Sequence, residues 1–313
     1  MVQRAAEYEE QTGHRVLEPL LSAFNLILEE EDLDYWNEAK TEFLLDLYSL
    51  GKEYETKTGK KVLQTLLPVY QSIERTWIMD LTKRKASLFL EIFTFYKVKR
   101  PVELRNWTTE ESELRSFLEC LQYISELRMN EMLIRKVTRL LMSRRQENPV
   151  TVEEITLHLS SVERKPRRVS MLVSNLACIL RHWTVSCLDL IACTIEGHSL
   201  VVLLCQQKHV TIKLSKESLQ QLALAVYEAQ EDTLAASFLE KVDNDLTPCN
   251  LIWEVLHFLL QHARQRVRVN FRKSKLQNNI KELTPLLPQI HALRYCQICT
   301  YYFYYSEHTL KLR

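Results

Sequence analysis

Asp189-Leu190-Ile191-Ala192-Cys193-Thr194-Ile195 and Asp245-Leu246-Thr247-Pro248-Cys249-Asn250-Leu251 are near copies, 56 residues apart, and each runs on into an apolar, helix-like stretch. Half that offset, about 28 residues, suits one strand-plus-helix unit of a solenoid. In such an array each unit buries its apolar side only against its neighbours, and function spreads over one face with no single catalytic cleft.

The series continues in Leu214-x-x-Glu217-x-Leu219 and Phe271-x-x-Ser274-x-Leu276, so that the leading apolar anchors at 190, 214, 246 and 271 are spaced by 24, 32 and 25 residues. Units of unequal length are therefore expected. Inward-pointing strand leucines would be followed by a turn residue held against backbone groups of adjacent units, a place suited to the amide of Asn or the small thiol of Cys. Cys193, Cys249 and Asn130, the last in Leu127-Arg128-Met129-Asn130-Glu131-Met132, are the candidates for that position. The competing reading makes the two cysteines ordinary core residues of unrelated helices.

Toward the N-terminus a second self-similarity sets Tyr8-Glu9-Glu10-Gln11-Thr12-Gly13 against Tyr54-Glu55-Thr56-Lys57-Thr58-Gly59, 46 residues on. Gly13 and Gly59 suit the left-handed position that ends a helix. Residues 1–76 are thus expected to be a helical repeat portion. From Trp77-Ile78-Met79-Asp80-Leu81 onward short strands alternate with helices, and residues 77–313 read as a strand/helix array. Its expected parts are a helix over 82–96, a strand at Pro101–Leu104, a helix from Glu110 capped by Thr109, and a half-buried strand with Ile155, Leu157 and Leu159 inward. A loop at Arg164-Lys165-Pro166-Arg167-Arg168 and a helix over Met171–His182 follow. The fold class is α/β.

Only four glycines occur in 313 residues, which disfavours hairpin-rich β folds. A net charge of +1 gives no global drive toward nucleic acid or membrane. The first residues lack a secretory h-region, and Leu200–Cys205 is an apolar run of core size only. A cytoplasmic protein is expected, with its eight cysteines reduced.

Leu188-Asp189-Leu190-x-x-Cys193-x-Ile195 resembles the ribonuclease-inhibitor-like leucine-rich repeats of vertebrate NOD-like receptors. The segment Val62 to Arg128, with Trp77-x-x-Asp80-Leu81-Thr82-x-Arg84-Lys85-x-Ser87 and Trp107-Thr108-x-Glu110-Glu111-Ser112-Glu113, is similar to uncharacterised repeat proteins associated with that receptor group. With Gly197-His198-Ser199-Leu200 and Phe271-Arg272-Lys273-Ser274-Lys275, the resemblance covers most of the chain. It implies a helix-rich, irregular leucine-rich-repeat-like solenoid with a mainly α-helical N-terminal portion, used for innate-immune sensing or scaffolding through protein contacts. It carries over no catalytic or ligand residue. The receptors' phosphate loop is missing: Gly51 and Gly59-Lys60-Lys61 have seven residues between the glycines and no hydroxyl after the lysine. Repeat-like sequence starts almost at Met1 and Tyr301-Tyr302-Phe303-Tyr304-Tyr305 lies near the other end, so the chain reads as a fragment.

Arg264, Arg266, Arg268, Arg272, Lys273 and Lys275 share a twelve-residue window with Val267, Val269 and Phe271. A strand there would bury the apolar three and present Arg266, Arg268 and Arg272 on the other side. Arg266, Arg268, Arg272, Lys273 and Lys275 are the candidate partner-binding residues, facing an acidic protein surface or RNA phosphates; the plainer reading is a solvated row paired with neighbouring acids. Cys296-x-x-Cys299 with His291 and His308 lacks the second ligand pair of a structural zinc site. Gly197-His198-Ser199 is an incomplete nucleophile elbow, and the remaining histidines show no nucleophile-base spacing. No catalytic residue, metal or cofactor is assigned. The expected function is a non-enzymatic protein-protein interaction scaffold, with a helical-repeat nucleic-acid binder using segment 264–275 as the alternative.

Overall fold

The computed structural model describes residues 8, 11–13, 34–72, 76–97, 99–108, 110–143, 150–158, 166–206, 209–270, 282 and 284–293. The fold is mixed α/β. Strands β1 (Trp77–Asp80), β2 (Arg100–Asn106), β3 (Ile124–Asn130), β4 (Val150–His158), β5 (Trp183–Leu190) and β6 (Thr211–Leu214) form one parallel sheet in chain order. Strand β7 (Val267–Val269) pairs parallel with β8 (Ile290–Leu293). The main helices are α1 (Asp34–Thr58), α2 (Leu67–Ser72), α3 (Ala86–Tyr96), α4 (Glu111–Cys120), α5 (Glu131–Ser143), α6 (Pro166–His182), α7 (Gly197–Leu204), α8 (Lys216–Ala229), α9 (Asp232–Lys241) and α10 (Trp253–Gln261). Parallel neighbours need a crossover, and a helix between successive strands supplies it. No described helix is long and apolar enough to cross a membrane.

The chain divides into two compact units, residues 1–129 with 148–153, and residues 130–147 with 154–313. In the first, Gly59 ends α1 with φ +71° and its N–H reaches Glu55 O at 2.8 Å, as the glycine placement predicts; Gly13 has the same φ. The Glu55 carboxylate then accepts the N–H groups of Val62 (2.6 Å) and Leu63 (2.8 Å), steering the chain into a short 3-10 turn at Leu63–Leu66. The core is aromatic: Tyr70 stacks on Tyr96 at 4.1 Å, and Trp77 meets Phe93 edge-on at 5.5 Å. The buried hydroxyl of Tyr70 donates to Leu44 O at 2.6 Å, and burial pushes its phenol far above the ordinary range. Strand β2 alternates, with Val102 and Leu104 buried and Glu103 and Arg105 half-buried on the other side. Helix α4 packs on α3; the buried Glu113 accepts the N–H of Ser87 at 3.1 Å, an amide that the first turn of α3 leaves without a helical acceptor.

In the second unit α6 packs on α5 and on α7, and α7 packs on α8. Gly197, first residue of α7, permits the last contact: a Cβ there would lie 2.3 Å from the backbone C and O of Gln221. Ser215 caps α8 by accepting Ser218 N–H at 3.2 Å. The fully buried Ser218 hydroxyl accepts the N–H of Ile195 at 2.8 Å and bonds Cys193 O at 3.4 Å. It ties the loop after β5 to α8.

Several elements differ from the sequence expectation. Residues 81–84 form a turn, and α3 starts at Ala86 because Asp80 holds the chain in that turn. The segment expected to be a loop at Arg164–Arg168 opens α6 at Pro166, where fixed φ and a missing N–H suit a first helical residue; Arg164 and Lys165 lie outside the described residues. Thr109 and Leu159 also lie outside them, and Glu110 holds the N-cap position of α4 without a side-chain cap.

Candidate interaction surface

The two near-copies adopt one turn. Cys193 N–H bonds Leu190 O at 2.9 Å and Cys249 N–H bonds Leu246 O at 3.0 Å, with both cysteines and both leucines buried. The Cys193 thiol donates to Leu157 O on β4 at 3.4 Å. Ahead of each cysteine an aspartate folds the backbone: Asp189 Oδ1 accepts Ile191 N–H at 2.8 Å, and Asp245 Oδ1 accepts Thr247 N–H at 2.9 Å. A third copy occurs at Asp80-Leu81-Thr82, where Oδ1 accepts the Thr82 N–H at 2.9 Å and hydroxyl at 2.6 Å. Asp-Leu-Thr at 80–82 and 245–247 was the available signal for this equivalence.

Asn130 departs from the expected turn. It ends β3, and its Oδ1 accepts Leu133 N–H at 3.0 Å, making it a helix N-cap for α5; Met132 is exposed. The physical reason is immediate helix entry after β3, which leaves an Asn side chain within reach of an orphan amide.

In the second unit the solvent side of the strands carries Glu154 on β4, Cys187 and Asp189 on β5, and Thr211 and Lys213 on β6. The register sets Cys187 beside Thr211 and Asp189 beside Lys213. Lys213 Nζ donates to Glu154 Oε1 at 2.6 Å and lies 4.0 Å from Asp189 Oδ2. The lysine on β6 thus reaches across β5 to β4, and the hydrogen bond to Glu154 raises its pKa. The Cys187 thiol is pushed up to about 11, first by burial and then by the Glu154 charge, against the opposing Lys213 charge. It is a protonated thiol at neutral pH, unsuited to nucleophilic attack.

The basic segment is only partly a displayed row. Val267 and Val269 are buried and Arg268 faces away from them, as alternation predicts, but β7 begins after Arg266, which is exposed. Arg268 Nη2 lies 2.9 Å from Asp243 Oδ2 and 3.4 Å from Asp245 Oδ2, and donates to Asp243 O at 3.2 Å. Its backbone N–H meets Asn244 O at 2.8 Å, offered by a turn in which Asp243 and Asn244 both have positive φ (54° and 52°). Arg268 is therefore paired with acids from the turn after α9. Arg272, Lys273 and Lys275 lie outside the described residues, as do Cys296, Cys299, His308 and the tyrosines at 301–305.

In the first unit the acids Glu38, Glu42 and Asp46 recur every fourth residue along α1. Lys83 bonds Glu38 at 2.5 Å, Arg105 bonds Glu38 at 2.5 Å, and Arg84 bonds Glu42 at 2.7 Å and Asp46 at 2.6 Å. A polar cleft of about 580 Å³ beside them is lined by Lys52, Glu53, Lys83, Arg84, Lys85 and Glu91 among others. On β3, Arg128 grips Glu126 with two bonds of 2.8 and 3.0 Å. Among the described residues no group of three or more His, Cys, Asp or Glu side chains could hold a metal ion, and Cys120, Cys178, Cys187, Cys193, Cys205 and Cys249 form no disulfide.

Compared with models of protein families, with curated proteins and with solved structures, the chain gives no match.

Proposed function

We propose that this chain is a leucine-rich-repeat-like solenoid serving as a non-enzymatic protein-protein interaction scaffold, in NOD-like-receptor-type innate-immune sensing or signalling in the cytoplasm. The observation that carries the reading is the strict chain order of the parallel strands, each followed by its own helix. That is the connectivity of a repeat array, in which successive strands contribute equivalent solvent-facing positions. The Asp-Leu turn that recurs at residues 80, 189 and 245 supports equivalence of the units.

Glu154, Asp189 and Lys213 are the residues through which a partner would be recognised. They are part-exposed, charged and set by β-strand backbone, so a protein surface of alternating charge could exchange pairs with them at low ordering cost. Arg266 is a secondary candidate at the rim. The nucleic-acid alternative is less favoured, because Arg268 is occupied by Asp243 and Asp245.

The test is retention of proteins from a nuclease-treated cytosolic lysate, quantified by mass spectrometry, on wild type and on two folded variants, Glu154→Lys with Asp189→Lys, and Arg264→Glu with Arg266→Glu. Loss confined to the sheet-face variant supports the reading. Retention that survives both variants removes that face from the function. Binding abolished by nuclease, or falling steeply with salt, would instead establish the nucleic-acid reading.

A further inference from the structure

Arg100 opens strand β2 on the side that Val102 and Leu104 also take, and it is 4% exposed. Its guanidinium carbon sits 5.9 Å from the centroid of the Trp77 ring, itself 2% exposed. A cation over an indole is attracted to the ring, but this leaves the guanidinium N–H groups to find acceptors elsewhere. At least one does not: buried Nη2 of Arg100 has no hydrogen-bond partner, and neither has buried Nε1 of Trp77. No carboxylate of the described residues pairs with Arg100, and the one influence on its ionisation is burial, which lowers its pKa. By contrast, the ion-paired arginines Arg84, Arg105, Arg128 and Arg268 each reach at least one carboxylate.

An arginine in a protein stays charged, and a buried charge with open donors is costly unless an anion meets it. Among the described residues the surroundings supply none. The hydroxyl of Tyr70 is spent on Leu44 O and that of Tyr96 on Leu63 O, both as donors to backbone. Two open donors, one on a charged group, thus lie at the start of β1 and β2, with the guanidinium carbon 5.9 Å from the indole centroid.

We propose that Arg100 and Trp77 form a binding site for a small oxyanion of the phosphate or carboxylate class. The fork of the guanidinium donates to two oxygens of the ion, and the indole N–H contributes a neutral third donor. The bound ion neutralises a buried cation that no described acid pairs with, so its effect is to stabilise the first unit; the site is independent of the scaffold reading.

Thermal unfolding of the full chain, in chloride, inorganic phosphate and acetate at matched ionic strength, tests this. Wild type should gain stability saturably with phosphate or acetate over chloride, by roughly 5 °C at a concentration a hundredfold above the dissociation constant. Arg100→Met should lose the response and, lacking the unpaired charge, match or exceed wild-type stability in chloride. Trp77→Phe keeps an aromatic face and removes one donor, and should weaken binding severalfold while leaving a response. Equilibrium dialysis of radiolabelled phosphate against wild type provides a reading that needs no variant, with one ion per chain expected. Identical midpoints in all three salts together with no bound phosphate, or an undiminished anion response in folded Arg100→Met, overturns the proposal.

Discussion

The hydroxyl of Thr41, on helix α1, accepts the backbone N–H of Ile78, on strand β1, at 3.1 Å. Strand β1 is the edge of its sheet among the described residues, so this N–H has no described neighbouring strand to bond. Exposed edges are templates for pairing with other chains, and covering one with a helix removes the hazard. Thr41 also donates to Asn37 O at 2.9 Å, which orients the acceptor lone pair toward the strand. Leu44, Leu45 and Tyr48 of the same helix are buried in the core of the first unit.

Thr41→Val keeps the shape and orphans the amide, and should cost about 1–3 kcal/mol in urea unfolding, the penalty for an unsatisfied buried donor. Thr41→Ser should restore most of it. Equal stability of the valine and serine variants would show that water satisfies Ile78 instead.

Gly197→Ala tests the contact of α7 with α8. The added Cβ would overlap backbone atoms of Gln221 at 2.3 Å, and backbone cannot swing aside as a side-chain tip can. A loss of about 3 kcal/mol is expected from overpacking. The same change at Gly51 meets the flexible end of Leu63 at 2.7 Å and should be much milder. Denaturant midpoints for the pair give the comparison.

Part of this architecture can be read from residue order alone. Gly59 announces the end of α1 because a residue with positive φ has few other candidates, and Asp189 and Asp245 announce equivalent turns because local side-chain bonds need no distant partner. Asn130 and Pro166 were harder, since an Asn suits both a repeat turn and a helix cap, and a Pro suits both a loop and a first helical turn. What decides between them is the strand or helix packed alongside. The pairing of Arg268 with Asp243 and Asp245 was hidden for a different reason: it depends on a left-handed pair, Asp243 and Asn244, formed by residues that only tolerate that conformation. The bonding of Lys213 to Glu154, 59 residues apart, depends on strand order.

Asp80 should make the first unit sensitive to acid. Burial raises its pKa, but bonds from Thr82 and from Asn106 Nδ2 (2.7 Å) outweigh that and hold the carboxyl below its ordinary 3.8. A depressed acid stabilises the fold fully above the unfolded value and ceases to as pH falls through the folded one. The stability gap between wild type and Asp80→Ala, about 2 kcal/mol at neutral pH for bonds to a buried charged group, should stay constant down to about pH 5 and close below about pH 4. Urea midpoints at pH 7, 5, 4 and 3 measure it; a gap unchanged at pH 3 would mean that the ionised form is not what Thr82 and Asn106 hold.

Cys187 offers a probe of the strand face itself. With its thiol raised to about 11 from an ordinary 9.0, the thiolate at pH 8 is scarce, and iodoacetamide should modify it about a hundredfold more slowly than an unperturbed cysteine. The charges beside it set the direction of two further changes. Glu154→Gln removes a negative neighbour and should speed labelling, whereas Lys213→Met removes the positive one and should slow it. Rates read by peptide mass spectrometry that ignore both substitutions would show that burial alone governs the thiol. If the substitutions act as expected, labelling at high pH becomes a footprint: a protein docked across Glu154, Asp189 and Lys213 must cover Cys187 between them and protect it, while a partner bound at Arg264 and Arg266 leaves its rate unchanged.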